Sequence, residues 1–254
     1  MKNVAATAWV SYPRPNPQAS LRLFCFPYAG GSITAFRGWA DRLPAQIEVG
    51  LIQLPGHGTR HRETPFTRIH LLAEALAEAL TSHLDRPYAM LGHSLGGLIA
   101  FEVVRVLGQQ SLPLPTHFFP CARTAPQLHD HQTSMHRLPD SLLVDEVQRR
   151  YDGIPAIIRQ DAEMLAFFLP ILRADLEMLE TYRYIEDSPL DCSITAYRGQ
   201  QDPMVNDDSL SAWREQTRGT FTQHTLPGGH FFLQDNPEFL SRLSADLNSI
   251  TLGA

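Results

Sequence analysis

The sequence predicts an α/β domain: a mostly parallel central sheet with helices on both faces and one inserted helical segment. Three observations predict it. Short apolar runs alternate with stretches of helical periodicity, two of these runs stop at a proline, and the alternation lapses once, between residues 123 and 191, before it resumes. Strands that are apolar throughout fit a sheet that helices cover on both sides. A chain of 254 residues, 43% hydrophobic, can bury a substantial core, and a single domain over 1–254 is expected.

Taken in order, "LRLFCF" (Leu21 to Phe26) and "IEVGLIQL" (Ile47 to Leu54) read as strands, closed by Pro27 and Pro55. Between them "TAFRGWADRL" has helical apolar spacing, and "IHLLAEALAEALTSHL" (Ile69 to Leu84) is a Leu- and Ala-rich amphipathic helix. "YAMLG" and "THFFPC" (Thr116 to Cys121) continue the strands, with "LGGLIAFEVVRVLGQQ" as the helix between them and Gly108 as its expected C-cap. Residues 123–191 hold helical stretches at "DSLLVDEVQRRY" and "DAEMLAFFLPILRADLEMLETYRYI" but no convincing strand, so a helical lid inserted into the domain is expected there. "CSITAYRG" and "FTQHTLPGGH" then restore two strands around "NDDSLSAWREQTRG", and "NPEFLSRLSADLNSI" closes the chain as a helix.

A net charge of -6 without any dense basic run argues against nucleic acid or an anionic membrane as a partner. Cys25, Cys121 and Cys192 are few, odd in number and without CxxC spacing, so neither a disulfide framework nor a zinc site is indicated. His129, His131 and His136 cluster in a loop without fixed ligand spacing, and no metal is expected. No run reaches the roughly 18 apolar residues of a membrane span, and Val4 to Val10 is too short for a signal peptide; the cytosol is the expected compartment, and a monomer the expected state.

Gly92-His93-Ser94-Leu95-Gly96 is a G-x-S-x-G motif set between a strand and a helix. That context is what a nucleophile elbow requires, because the serine sits on a tight turn and side chains at the flanking glycines would collide with neighbouring elements. Serine needs a base, and the base needs an orienting acid. Asp202 follows one predicted strand and His230 the next, in the order serine, acid, histidine, and parallel strands end on one sheet edge. His224 lies within a strand, and Asp187 and Asp191 precede one, which puts them at the wrong edge. For the oxyanion, the Leu95 amide is one expected donor; the amide of Tyr28 or Ala29, in "FPYAGGS", is the other.

With these residues in place, the chain resembles the α/β-hydrolase superfamily and, within it, the free-standing type II thioesterases of polyketide and nonribosomal peptide biosynthesis. The resemblance spans nearly the whole chain, through "LFCFPYAGGS", "FRGWADRLP", "LPGHGTRHRE", "LGHSLGGLIAFE", "RTAPQ", "YRGQQDPMV" and "LPGGHFFL". It departs from the family at Cys121-Ala122 before Arg123 and at His57, where arginine is common. It implies an α/β-hydrolase fold, Ser94 as nucleophile, Asp202 as acid and His230 as base. It also implies hydrolysis of acyl or aminoacyl thioesters from the phosphopantetheine arm of acyl or peptidyl carrier proteins, with no cofactor of the enzyme's own. A small-molecule esterase, lipase or acyltransferase on the same fold is the alternative, and a non-catalytic binding protein a more distant one. Met164, Phe167 and Phe168, with Leu165 and Leu169, form an apolar cluster expected to roof the acyl chamber. Arg60, Arg62 and Arg123 are candidates for contacts with phosphate or carrier acids.

Overall fold

The computed structural model describes residues 9–129, 134–234 and 236–252. Seven strands form one sheet: β1 (Val10–Ser11), β2 (Leu21–Phe26), β3 (Ile47–Ile52), β4 (Tyr88–His93), β5 (His117–Cys121), β6 (Ser193–Gly199) and β7 (Phe221–Leu226). Their spatial order is β1-β3-β2-β4-β5-β6-β7. All neighbours run parallel except β1, which pairs antiparallel with β3 through Val10↔Ile52 and Ser11↔Leu51. This is the α/β-hydrolase fold expected from the sequence.

The apolar strands are buried on both faces because alternate side chains enter two different cores. Along β2, Phe24 and Phe26 join the core covered by α2 (Ile69–Leu80) and α3 (Leu95–Gln109). Leu21, Leu23 and Cys25 point the other way, against α1 (Trp39–Arg42) and α8 (Pro237–Leu252). Arg22 is the exception within the strand, and it is compensated: its register partner on β3 is Glu48, and the two form a buried ion pair at 2.7 Å.

Between β5 and β6 lie α4 (Asp140–Tyr151), α5 (Ala156–Gln160) and α6 (Ala162–Thr181). Helix α6 begins where the Asp161 carboxylate accepts from the Glu163 and Met164 amides, an N-cap that satisfies two orphan donors. These helices share a third core, with Leu143, Val147, Leu169, Leu172 and Leu176 buried together. Helix α7 (Asp207–Ser211) and a following 3-10 turn, Ala212–Gln216, occupy the β6–β7 connection.

Three local expectations are corrected. "TAFRGWADRL" is not one helix: Gly38 takes φ 76° and separates a 3-10 turn, Ile33–Phe36, from the four residues of α1. Gly108 lies inside α3, which runs on to Gln109 and ends where Ser111 adopts φ 55°. The third strand stops at Ile52, two residues short of Leu54. Among the described residues no helix is long and apolar enough to cross a membrane.

Candidate active site

Ser94 sits between β4 and α3 with φ 54° and ψ −114°, a strained conformation for a residue with a side chain. The glycines around it are required by close approach. A Cβ on Gly92 would lie 2.3 Å from the Gly96 carbonyl oxygen, and one on Gly96 would lie 2.3 Å from that of Phe26. The turn therefore presses directly on the end of β2, and the hydroxyl is held at the carboxyl edge of the sheet.

The partners arrive at the same edge from β6 and β7. His230 Nδ1–H donates to Asp202 Oδ2 at 2.9 Å, and Ser94 Oγ–H donates to His230 Nε2 at 2.9 Å. The carboxylate fixes the tautomer that leaves Nε2 free to accept a proton. Asp202 Oδ1 is occupied as well, accepting from the Met204 amide at 2.9 Å. All three side chains are buried. The remaining candidates fall elsewhere: His224 lies in β7 beside Tyr197, Asp187 reaches Arg105, and Asp191 reaches Arg218.

His93, next to the serine, is a functional neighbour that sequence reasoning passed over. Its Nε2–H donates to the His230 carbonyl at 2.8 Å, which anchors the base through its backbone. Burial, helped by the nearby His230, pushes the His93 ring down to about 3, so it stays neutral. Its edge packs on Tyr28 and Phe231.

The loop after β2 approaches Ser94 from the other side. Its Gly31 amide donates to the Tyr28 carbonyl at 2.8 Å, and its Gly30 amide to Asp175 Oδ2 at 2.7 Å. Two of the loop's four amides from Tyr28 to Gly31 are thereby committed. Tyr28 and Ala29, whose amides are the expected donors, line the same cavity as Ser94. Leu95 is the first residue of α3, where helical amides have no intrahelical acceptor.

Three spaces meet at this centre. A narrow apolar slot of about 30 Å³, bounded by Val147, Ile154, Leu172, Leu176 and Phe231, reaches Ser94. A more polar cavity of about 340 Å³ runs from Ser94 and His230 past Arg123 and Glu180. A broad depression of about 860 Å³ leads outward over His230 between Tyr28, Gly229 and Gln234. Tyr151 borders all three.

Met164, Phe167 and Phe168 are not brought to Ser94; they line a separate groove with Gly31, His57 and Gly58. Two things separate them, helical phase and position along the helix. In α6 the row Leu172, Leu176 and Leu179 faces the serine. Phe167 lies on the opposite side and is exposed, as is Met164, whereas Phe168 shares the row's side but sits one turn nearer the helix N-terminus, over Gly30. Arg60 is held by Glu63 and stacks on Trp9 with 4.2 Å to the ring centroid, and Arg62 is exposed. Of the loop histidines, His129 reaches the Leu179 carbonyl and His136 pairs with Glu180, while His131 lies outside the described residues. Among the described residues no cluster has the makings of a metal site.

Residues 21–247 match the family model of the thioesterase domain. The chain is 43% identical over 228 residues to the gramicidin S biosynthesis protein GrsT of Aneurinibacillus migulanus, covering 90% of this chain and 89% of that one. It is also similar to the solved structure of RedJ, a thioesterase from the prodiginine biosynthetic pathway in Streptomyces coelicolor. That match has 40% identity and a TM-score of 0.84, and covers 94% of this chain and 92% of the other. The type II thioesterase BorB from the borrelidin biosynthetic cluster matches at 33% identity with a TM-score of 0.83, over 95% of this chain and 97% of BorB.

Proposed function

Because the chain belongs to the thioesterase family and is a hydrolase of thioester bonds, we propose that it clears acyl or aminoacyl groups from the phosphopantetheine arms of acyl or peptidyl carrier proteins in polyketide or nonribosomal peptide synthesis. The observation that carries the mechanism is the buried chain of hydrogen bonds from Ser94 through His230 to Asp202. The likeness to thioesterases of such pathways supports the substrate class.

In this reading Ser94 Oγ attacks the thioester carbonyl while His230 Nε2 takes the hydroxyl proton and Asp202 stabilises the imidazolium. The oxyanion is met by the Leu95 amide and by that of Tyr28 or Ala29. Collapse breaks the carbon–sulfur bond, and His230 returns its proton to the departing sulfur. A thiol of pKa about 8.5 leaves far more readily than an amine. His230 then activates a water, which releases the acid and restores Ser94. The arm belongs to the substrate, and these steps draw on no other cofactor.

Residues 123–191 serve in this reading as a lid inserted in the single domain 1–254. The slot beside Ser94 is roofed from that segment by Val147, Leu172 and Leu176, which supports the assignment. The test is a panel of acyl carriers of different chain length, followed by mass for loss of the acyl group, against simple oxygen esters of the same acids. Faster cleavage of the carrier thioesters is expected. A preference for the oxygen esters would make the chain an esterase instead.

A further inference from the structure

Arg123 follows the turn at the end of β5, where Ala122 takes φ 50°, and its side chain lies in the polar cavity beside Ser94 and His230. It adjoins the nucleophile's own turn: its Cβ lies 3.3 Å from the position a side chain would take at Gly97. The residue is 8% exposed. Its Nη2 faces His129 Nδ1, its Nε has no hydrogen-bond partner, and none of the ion pairs among the described residues includes it. Glu180, the one acid among the described residues that line this cavity, is spent on the Met135 and His136 amides and the His136 ring. Arg150, the other arginine among the described lining residues, is paired with Glu146.

A guanidinium removed from water without a counter-charge is costly to keep, and burial lowers Arg123 to about 10. An anion arriving from outside would supply the missing charge. The fork of N–H donors fits a carboxylate. The cavity offers about 340 Å³ beside the reacting serine, against about 30 Å³ in the apolar slot.

Resting on the thioesterase reading above, we propose that the polar cavity receives an acyl chain ending in a carboxylate, paired there with Arg123, so that dicarboxylic acyl thioesters are a preferred substrate class. The chemistry is unchanged: Ser94 takes the acyl group, the thiol leaves, and water releases a dicarboxylic acid.

The test compares succinyl-pantetheine with its neutral isostere, succinamoyl-pantetheine, in the wild type, Arg123→Gln and Arg123→Lys. The wild type should favour the succinyl thioester in kcat/KM by about 10- to 100-fold, the usual worth of a hydrogen-bonded charge. The ratio should fall towards one in Arg123→Gln and be partly retained in Arg123→Lys. A second readout needs no variant: free succinate should inhibit wild-type cleavage of the neutral thioester competitively, and succinamide should not. Equal cleavage of both thioesters by the wild type, an unchanged ratio in Arg123→Gln, or equal inhibition by succinate and succinamide overturns the assignment of Arg123 while leaving the thioesterase reading intact. Absence of cleavage of either substrate removes both.

Discussion

The Asp175 carboxylate, on α6, accepts a hydrogen bond of 2.7 Å from the Gly30 amide and so ties the β5–β6 segment to the loop beside the nucleophile. The same oxygen accepts from His57 Nε2 at 2.9 Å, and Asp175 is only 1% exposed. One buried charge thus joins three segments that are distant in sequence. Asp175→Ala would leave the His57 ring without its counter-charge. A loss of about 3–5 kcal/mol is expected, as for other broken buried pairs, read as a lower urea midpoint at constant m-value.

His57 gives this pair a direction in pH. Its Nδ1 faces the Pro55 carbonyl at 3.0 Å and its Nε2 faces Asp175, so both nitrogens carry protons. Burial draws the ring's pKa down, but the charge and hydrogen bond of Asp175 outweigh it, and the net shift is upward. The folded state therefore binds this proton more tightly than the unfolded chain. The stabilisation is complete below pH of about 6.5 and is lost as pH rises through the folded value. Urea denaturation across that range should show the decline, and His57→Gln should flatten it.

Ser94→Ala is expected to lower turnover of an acyl-pantetheine thioester at least about a thousandfold, with the fold retained by circular dichroism. The same variant should fail to react with a fluorophosphonate probe that labels the wild type. A fall in turnover of less than tenfold would remove Ser94 from the role of nucleophile.

His93→Leu keeps the apolar volume but leaves the buried His230 carbonyl without its donor. A destabilisation of about 1–3 kcal/mol is expected. Because the base is then held by its ring contacts alone, kcat should fall about tenfold with KM little changed. His93→Gln, which restores a donor, should recover part of both; equal behaviour of the two variants would show that the hydrogen bond is unimportant.

The centre of the sheet was legible because its strands there are short apolar runs, several closed by proline or glycine, as at "LRLFCF" and "YAMLG". The serine, acid and base positions were legible because each lies just past a strand and parallel strands end together. Val10–Ser11 was missed: two residues have no period to detect. The facing of Met164 and Phe167 was missed because apolar content does not reveal which helix row meets the core. Asp175 and Gly30 are 145 residues apart in sequence, so no local pattern announces their contact. Arg123 stood out only as one arginine among three until its cavity, and its lack of a carboxylate partner among the described residues, were visible.

The sheet order places β5 between the strand that leads to Ser94 and the strand that leads to Asp202, and α4 to α6 all fall in the single connection after β5. No member of the Ser94–His230–Asp202 chain lies within residues 123–191. The reactive residues thus flank the segment, Ser94 before it and Asp202 and His230 after it, whereas residues 123–191 are one contiguous stretch of the gene. In the lid reading proposed above, recombination at the two junctions flanking that stretch would replace the Val147, Leu172 and Leu176 roof of the slot in a single event, with Ser94, Asp202 and His230 inherited unchanged.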